Sequence, residues 1–283
     1  MTFNPLVSIV IPVYNGENYF KYALLAAISQ TYRNLQVIVI DDGSLDPSYL
    51  KREIESLGDA RVELHVKKNG GVSSALNLGI KKSKGEYFSW LSHDDVIPLY
   101  KIESQIRLIQ NEYEKDEIIY SSWDHIDEEG KYLWTSRIKS KIEATRTSLG
   151  PVEHQVLNAG TMLIPITVFE KVGNFNENLK YVQDYEFFFR CAKRRIPWLY
   201  IDLTCCSTRI HEQRDSQTKD VTSENFLIWS SIADFFCQEV REKHSKFEAM
   251  KIFIEYKDFV SSQNLQGAEN VLDRYLNTQY KKS

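Results

Sequence analysis

The first hundred residues alternate short apolar runs with segments of helical periodicity, and this alternation limits the fold more than any other feature. Apolar runs that predict strands lie at residues 7–13, 35–40, 62–66 and 86–91. Segments with helical spacing lie between them, at residues 18–30, 47–57 and 72–82. A strand–helix order of this kind is typical of a parallel sheet with helices on both faces. The sequence therefore predicts an α/β fold with a mostly parallel central sheet.

The rest of the chain is less regular and ends in helices only. Helices are predicted at residues 101–111 and 182–194, strands at 118–123, 161–164 and 198–201, and a hairpin turn at 128–131. Residues 136–150 carry many charges and little periodicity, which indicates a loop over a binding site. Beyond about Ser216 the pattern predicts helices at 225–240, 247–260 and 268–275. We therefore expect the chain to consist of three parts, at residues 1–98, 99–215 and 216–283.

Composition excludes several classes of protein. The net charge of -4 lacks the basic surplus of a nucleic-acid-binding protein. The four cysteines include no Cys-x-x-Cys pair, so we expect no zinc site and a reduced, cytoplasmic protein. The first residues lack the features of a signal peptide, and no apolar run approaches the roughly 20 residues that span a bilayer. Association with a membrane surface stays open.

Polar and acidic residues follow three of the predicted strands. Pro12 to Asn15 ends the first strand, Asp41 to Ser44 ends the second, and Asp94 and Asp95 end the fourth. A single Asp-Gly-Ser is ordinary turn chemistry. Ligands of open α/β sheets, however, bind at the carboxyl ends of the strands. Three such loops at one sheet edge therefore favour a ligand site.

The adjacent carboxylates of Asp94 and Asp95 indicate what this site binds. Two neighbouring negative charges repel each other unless a cation compensates them, and hard oxygen ligands favour Mg²⁺ or Mn²⁺. Residues 7–16 lack the Gly-x-Gly-x-x-Gly spacing of a dinucleotide loop. We therefore expect a metal and side chains to hold a phosphate-bearing substrate. Residues 69–77 fit either a ligand contact through their glycines and a helix N-terminus or a plain turn.

Residues 7–15, 39–44, 71–79 and 91–95 together resemble the motifs of family 2 glycosyltransferases. The resemblance runs from about Val7 to His211. It implies a GT-A fold, inversion at the anomeric carbon, and a nucleoside-diphosphate sugar donor that we expect to be UDP-linked. The acceptor it implies is a glycan or a lipid-linked sugar of bacterial surface polysaccharide synthesis, at the inner membrane face. Residues 1–98 would then bind the nucleotide-sugar and residues 99–215 the acceptor.

The resemblance also assigns roles to individual residues. It implies nucleotide-binding residues, with Asp42 on the base and Asp94 near the ribose or metal: Pro12, Tyr14, Asn15, Asp41, Asp42, Asn69 and Asp94. It implies Mn²⁺ or Mg²⁺ as cofactor, with Asp95 and His211 as metal ligands, and Arg209 as a phosphate contact. Ser92 stands where the family often carries a further Asp, which weakens the expected metal site.

Asp184 is the residue that the resemblance assigns as general base. Residues 181–190 resemble the Glu-Asp motif that precedes an aromatic helix in the family, with Gln183 in place of the Glu. Spacing alone favours a helix cap at this position. The rival function is a non-catalytic nucleotide-sugar-binding scaffold, which the presence of both Asp95 and Asp184 disfavours. A nucleotidyltransferase is disfavoured because residues 14–17 contain no basic side chain.

The last segment predicts a buried helical face. Its apolar residues recur near helical spacing: Phe226, Leu227, Trp229, Ile232, Phe235 and Phe236. The charges that follow are mixed in sign, whereas a membrane-surface helix is usually basic. We therefore expect packing against protein, with self-association through these helices as the predicted role.

Overall fold

The computed structural model describes residues 3–112, 117–138, 148–212 and 221–280. The chain divides into two compact units, each built from three stretches of sequence. The sheet unit comprises Met1–Ser140, Leu157–Lys180 and Ile196–Gln213. The helical unit comprises Lys141–Val156, Tyr181–Arg195 and Arg214–Ser283. Residues 139–147, most of the loop predicted at 136–150, lie outside the described residues, and the predicted divisions at 98 and 215 stay predictions.

The sheet unit begins with the predicted alternation of strands and helices. The strands are β1 (Val7–Val13), β2 (Leu35–Asp41), β3 (Val62–Val66) and β4 (Tyr87–Trp90), and the helices are α1 (Phe20–Ile28), α2 (Ser48–Leu57) and α3 (Val72–Lys82). Every residue of β1, β2 and β4 is buried. Strands of a parallel sheet covered on both faces require such continuous apolar runs. The element predictions for this part of the chain are confirmed.

The main sheet has the strand order β3-β2-β1-β4-β7. Its first four strands are parallel, and β7 (Ile164–Pro165) is antiparallel to β4. A smaller sheet has the order β6-β5-β8, with β5 (Ile118–Ile126) and β6 (Tyr132–Ser136) forming an antiparallel hairpin around the predicted turn. The long strand β8 (Trp198–Arg209) runs parallel to β5. The mostly parallel central sheet flanked by helices is thus confirmed.

Helices α4 (Lys101–Glu112) and α5 (Ile166–Val172) complete this unit. The strand predicted at residues 161–164 is confirmed at its end, where Leu163 bridges to Ile119 and Ile164 begins β7. Its start is wrong, because residues Ala159–Thr161 form a 3₁₀ turn. The Asn158 Oδ1 atom accepts the Gly160 N–H at 2.8 Å, and the Thr161 hydroxyl donates to the Asn158 carbonyl at 2.7 Å. Such local side-chain bonds compete with strand pairing.

The helical unit contains α6 (Gln183–Lys193), α7 (Val221–Lys243), α8 (Lys246–Ser262) and α9 (Gln266–Tyr280). Its core is aromatic: the rings of Phe236 and Tyr256 stack with centroids 3.9 Å apart. Helices α7 and α9 approach closely at Gly267, where a Cβ atom would lie 2.1 Å from the Phe226 carbonyl oxygen. Only glycine permits this approach.

The predicted apolar face of α7 is largely buried inside the helical unit. Trp229, Ile232 and Phe236 are at most 2% exposed, whereas Phe226 and Leu227 remain 40% and 66% exposed. Packing against protein therefore accounts for most of the face, and self-association stays a prediction. All four cysteines of the chain are free and buried. Within the described residues, no helix combines the length and apolar character needed to cross a membrane.

Candidate functional site

The loops that follow β1, β2 and β4 lie at one edge of the main sheet because these strands are parallel. Strands β2 and β3 lie on one side of β1, and β4 lies on the other. The chain therefore changes direction across β1. In open α/β sheets the ligand crevice lies at the carboxyl ends of the strands at such a switch point. The predicted acidic clusters occupy this edge.

The loops after β1 and β2 are bonded to each other through Asn15. This residue has a φ of +48°, a left-handed conformation that asparagine tolerates better than most residues. Its N–H donates to the Ser44 hydroxyl at 3.0 Å, and its Oδ1 accepts the Leu45 N–H at 2.9 Å. Pro12 is buried within β1, whereas Tyr14 is 47% exposed. Of these predicted nucleotide contacts, Tyr14 presents the most accessible ring.

Asp42 fastens the loop between β3 and α3. Its carboxylate accepts the N–H groups of Gly70 at 3.0 Å and Gly71 at 2.7 Å, and it forms an ion pair with Lys67. The Asp42 side chain is only 4% exposed. These bonds give the predicted base-reading residue a structural role, and they give the glycines of residues 69–77 a partner within the protein. Lys67 was not predicted, because its partner lies 25 residues earlier in the chain.

Two further contacts tie this loop to the end of β2. The Asn69 side-chain amide donates to the Asp42 carbonyl at 2.9 Å. Gly43 has a φ of +77°, and a Cβ atom there would lie 2.7 Å from the Asn69 nitrogen. Glycine is therefore required both for its backbone conformation and for the close approach. The predicted residues Asp42 and Asn69 thus lie together.

Asp41 differs from Asp42 in its hydrogen bonding. Its Oδ1 accepts the Ser44 N–H at 3.0 Å. Its Oδ2 is buried and has no hydrogen-bond partner within the described part of the chain. An unpaired buried carboxylate oxygen is costly and needs an explanation. A ligand N–H at this position would supply the missing donor.

Asp94 and Asp95 are both bonded to the end of β8. The Asp94 Oδ2 lies 2.9 Å from the His211 Nε2, and the Asp95 Oδ1 accepts the Arg209 N–H at 2.9 Å. Burial acts to raise the pKa of Asp94, but His93 and the His211 hydrogen bond outweigh it and lower the pKa below its ordinary value. The predicted metal ligands Asp95 and His211, which are far apart in the sequence, are therefore brought to one place by the ends of β4 and β8.

The Arg209 side chain supports the loops around this site. Its guanidinium donates to the main-chain carbonyls of Asp94 at 3.0 Å, Asp127 at 3.0 Å and Glu128 at 2.8 Å. The same group lies 4.9 Å from the centre of the Tyr19 ring. These bonds hold the hairpin turn against the end of β4. The phosphate contact expected of Arg209 stays a prediction.

The donor atoms at this edge suit a divalent cation that shares its ligands with a substrate. Among the residues described, no three acidic, histidine or cysteine side chains are grouped so as to hold a metal. Mg²⁺, however, is commonly held by one or two carboxylates together with substrate phosphates. The His211 Nδ1 is also buried without a hydrogen-bond partner in the described part of the chain. One or two of the side chains Asp94, Asp95 and His211 therefore suit a cation whose remaining ligands are substrate phosphates.

Asp184 lies in the helical unit, in the first turn of α6. The helix is preceded by Val182 as its N-cap residue, without a side-chain capping bond, so Asp184 is not the cap. Its Oδ1 accepts the Tyr185 N–H at 2.8 Å. Burial raises the pKa of Asp184 to about 6, although the Tyr185 N–H acts to lower it. A carboxyl group with this pKa exchanges protons near neutral pH.

Comparison with known proteins agrees with the motifs. The family model described as Glycosyl transferase family 2 matches residues 8–173. An uncharacterized glycosyltransferase of Rickettsia typhi is 40% identical over 233 residues, covering 81% of this chain and 72% of the relative. One of Rickettsia prowazekii is 36% identical over 272 residues, covering 93% and 84%. The chain belongs to glycosyl transferase family 2.

Some relatives are much longer than this chain. An uncharacterized glycosyltransferase of Rickettsia bellii is 39% identical over 246 residues, but this chain spans only 35% of its length. The family assignment therefore applies to the segment that this chain shares with these longer relatives.

Solved structures share the fold at low sequence identity. S. aureus TarS, residues 1–349 in complex with UDP-GlcNAc, has a TM-score of 0.64 at 16% identity, with 97% of this chain and 92% of that chain covered. The mannosyltransferase PcManGT from Pyrobaculum calidifontis, in complex with GDP-Man and Mn²⁺, has a TM-score of 0.61 at 15% identity, with 100% and 77% covered. The predicted GT-A fold is confirmed.

Proposed function

We propose that this protein is an inverting glycosyltransferase that moves a sugar from a UDP-linked donor to a hydroxyl group of a glycan or lipid-linked acceptor. The observation that carries the proposal is the meeting of Asp94, Asp95 and His211 at the sheet edge of a family 2 chain. The complex of TarS with UDP-GlcNAc supports a UDP-linked donor. The complex of PcManGT with Mn²⁺ supports a divalent cation.

The donor end of the reaction rests on the sheet unit. One or two of the side chains Asp94, Asp95 and His211 would hold Mn²⁺ or Mg²⁺ together with substrate phosphates, and the metal when bound would supply charge stabilisation for the leaving diphosphate. Tyr14 offers an exposed ring for the base, and Asp41 offers a buried oxygen without a partner among the described residues. Asp42 holds the loop of residues 69–71, so that the nucleotide meets a preformed surface.

The acceptor end of the reaction is assigned to Asp184. A general base works best when its pKa lies near the working pH, and burial raises the Asp184 pKa to about 6. Asp184 takes the proton of the acceptor hydroxyl while that oxygen forms a bond to the anomeric carbon. The bond from the anomeric carbon to the diphosphate breaks in the same displacement, which inverts the configuration.

The proposed setting is bacterial surface polysaccharide synthesis at the cytoplasmic face of the membrane. The Rickettsia relatives support a bacterial setting. A lipid-linked acceptor fits a protein that works at a membrane surface. A screen of donors and acceptors identifies the sugar and the linkage.

The experiment is a thermal-shift screen of UDP- and GDP-sugars with and without Mn²⁺, followed by turnover assays of the donors that bind. Binding to the folded state raises the melting temperature. We expect a metal-dependent shift with UDP-sugars and release of UDP when an acceptor is added. An Asp184→Asn variant should show the same shift without turnover. Wild-type protein that binds donors and turns over none, with any acceptor offered, would favour the scaffold function.

A further inference from the structure

Helix α6, which carries Asp184, is held at its start by a carboxylate from α7. The Glu224 Oε2 atom accepts the N–H groups of Tyr181 at 2.9 Å and Val182 at 3.3 Å. Val182 is the N-cap residue of α6, and its own side chain makes no capping bond. The first N–H groups of a helix have no partner within the helix and need one from outside. Glu224 therefore supplies an acceptor to the main chain that leads directly into Asp184.

The charge of the Glu224 side chain favours this contact. The N-terminus of a helix carries a partial positive charge, which attracts a carboxylate. Hydrogen bonds from N–H groups to a charged acceptor are shorter and stronger than those between neutral groups. Glu224 is half-buried, so water screens the attraction less than it would at an exposed position. The start of α6 is therefore fixed on α7 by a directional polar contact.

Ring contacts hold the next residues of α6 on the same helix. The ring centre of Tyr185 lies 5.5 Å from that of Trp229, which is 2% exposed. One helical turn later, the ring centre of Phe189 lies 5.8 Å from that of Phe235. Tyr185 is also the residue whose N–H bonds to the Asp184 carboxylate. The chain is therefore attached to α7 on both sides of Asp184, by hydrogen bonds before it and by packing after it.

We propose that Glu224 is a positioning residue that sets the direction in which the Asp184 carboxylate meets the acceptor hydroxyl. The inference rests on the proposed function, in which Asp184 is the general base. A general base must lie within hydrogen-bond reach of the proton it takes, and a displacement of about 1 Å can cost about 10²-fold in rate. In this role Glu224 touches neither donor nor acceptor. The sequence does not reveal it, because its partners lie 42 and 43 residues earlier in the chain.

Turnover of Glu224→Ala measures the positioning. We expect kcat to fall by about 10–100-fold, because the base is no longer held in place. The KM for the donor should stay close to wild type, because the proposed donor contacts lie in the sheet unit. Glu224→Gln should keep most of the activity, since its amide oxygen can accept the same two N–H bonds.

The matched control for these variants is Asp234→Ala on the same helix. Asp234 is also a half-buried carboxylate, but it accepts the hydroxyl of Tyr275 on α9 at 3.1 Å. Its removal takes a comparable bond from α7 without touching α6. Asp234→Ala should therefore keep the wild-type kcat, even where its melting temperature falls as far as that of Glu224→Ala.

A double variant separates positioning from a general loss of stability. If Glu224 acts through Asp184, adding Glu224→Ala to Asp184→Asn should lower kcat by less than about twofold, because the base is already absent. A substitution that only weakens the fold should instead lower the residual rate of Asp184→Asn by the same factor as it lowers the wild-type rate. The non-additive result is the one we expect.

Hydrogen exchange tests the contact without any turnover. In Glu224→Ala the main-chain N–H groups of Tyr181 and Val182 should exchange about tenfold faster than in wild type. The same groups should change little in Glu224→Gln and Asp234→Ala. Circular dichroism checks that each variant is folded. If Glu224→Ala does not fold, Glu224→Asp replaces it, because it keeps the charge but shortens the side chain by one carbon atom.

Three outcomes would overturn the positioning role. These are unchanged exchange at the start of α6 in the variant that loses the contact, a fall in kcat no larger than that of Asp234→Ala, and a loss that adds in full to that of Asp184→Asn. A protein that transfers sugar equally well with and without Glu224 contradicts only the positioning. A wild-type protein that transfers no sugar to any acceptor contradicts the proposed function, whereas the exchange result still shows whether Glu224 holds α6.

Discussion

The sheet edge and the helical unit are each stabilised by a different kind of interaction. At the sheet edge, side chains bond to the backbone of neighbouring loops, as Asn15, Asp42 and Arg209 do. In the helical unit, rings pack on rings, with Phe236 on Tyr256 and Phe253 5.8 Å from Tyr275. Directional polar bonds fix loop positions, whereas apolar burial supplies most of the stability of a helical core.

This difference decides how cleanly chemistry can be separated from folding. At the sheet edge, the carboxylates expected to bind the donor also hold loops in place, so their replacement disturbs both functions. Asp184 instead bonds to the N–H of the adjacent Tyr185. We therefore expect that a substitution of Asp184 strongly lowers sugar transfer while the helical unit stays folded. Substitution of a sheet-edge carboxylate should instead change both donor binding and the local structure.

The largest effect is expected from Asp184→Asn. The amide keeps the size of the side chain but cannot accept the acceptor proton, so transfer should fall by about 10²-fold or more. Wild-type turnover should rise with pH through about 6, the pKa to which burial raises Asp184, because only the ionised form is a base. Initial rates between pH 5 and 8 check both expectations. Wild-type transfer by the variant would remove Asp184 from the mechanism.

The same substitution should lower activity but raise the stability of the folded protein at high pH. The folded-state pKa of Asp184 lies above the unfolded value of 3.8, so the folded protein favours the protonated carboxyl. That contribution to stability is complete below pH 4 and is lost as the pH rises through about 6. Asp184→Asn should therefore melt at a higher temperature than wild type at pH 8 and at the same temperature near pH 4. A lower melting temperature at pH 8 would indicate a structural role for the carboxylate.

Phe236→Ala tests the apolar side of the comparison. Phe236 is 1% exposed and stacks on Tyr256, so its removal leaves a cavity and should cost about 3–5 kcal/mol of unfolding free energy. Urea titration measures this loss. Phe226→Ala on the same helix is the control, since Phe226 is 40% exposed and its removal should cost much less. Equal losses would contradict the assignment of Phe236 to the core.

The two regions also differ in how much the sequence predicts. The strands of the sheet unit were predicted because buried parallel strands read as apolar runs, as in Val7–Val13. The strand predicted at residues 161–164 begins too early because the apolar pattern does not reveal the turn that the Asn158 side chain fixes. The sequence predicts α7, α8 and α9 to be shorter than they are because the residues at their ends lack apolar periodicity.

For the candidate site, the sequence predicts which residues gather but not how they are bonded. The sequence shows that predicted strands are followed directly by acidic residues, namely Asp41, Asp42, Asp94 and Asp95. Because the strands are parallel, their ends lie at one edge of the sheet. The pairing of Asp42 with Lys67 depends on the path of β3, which no local pattern encodes. Asp41 and Asp42 are adjacent in sequence, yet only the structure distinguishes the anchored carboxylate from the one with an unpaired oxygen among the described residues.

Asp95→Asn tests whether charge at the sheet edge can be removed without loss of structure. The amide oxygen can still accept the Arg209 N–H, so folding should persist while the attraction for a cation weakens. UDP affinity in the presence of Mn²⁺ should fall by about 10–100-fold, and metal-free UDP affinity should change little. Calorimetry with and without Mn²⁺ measures the difference. Ser92→Ala on the same loop is the control, and metal-dependent binding that survives in Asp95→Asn would contradict the metal assignment.

The smallest effect is expected at the end of β2, where adjacent carboxylates divide structural and binding roles. Asp42→Ala should weaken UDP binding by about tenfold, because a hydrogen bond to a charged group is lost, and should weaken pyrophosphate binding by much less.

Two further variants separate the roles of the two carboxylates. Lys67→Met removes the ion pair with Asp42 but leaves both carboxylates in place. Asp41→Asn alters the oxygen that lacks a partner in the described part of the chain. If Asp42 acts by holding the loop, Lys67→Met should reproduce part of its loss. If Asp41 reads the base, Asp41→Asn should weaken UDP and spare pyrophosphate. Equal losses for UDP and pyrophosphate in Asp42→Ala would mean that this carboxylate supports the whole site and has no preference for the base.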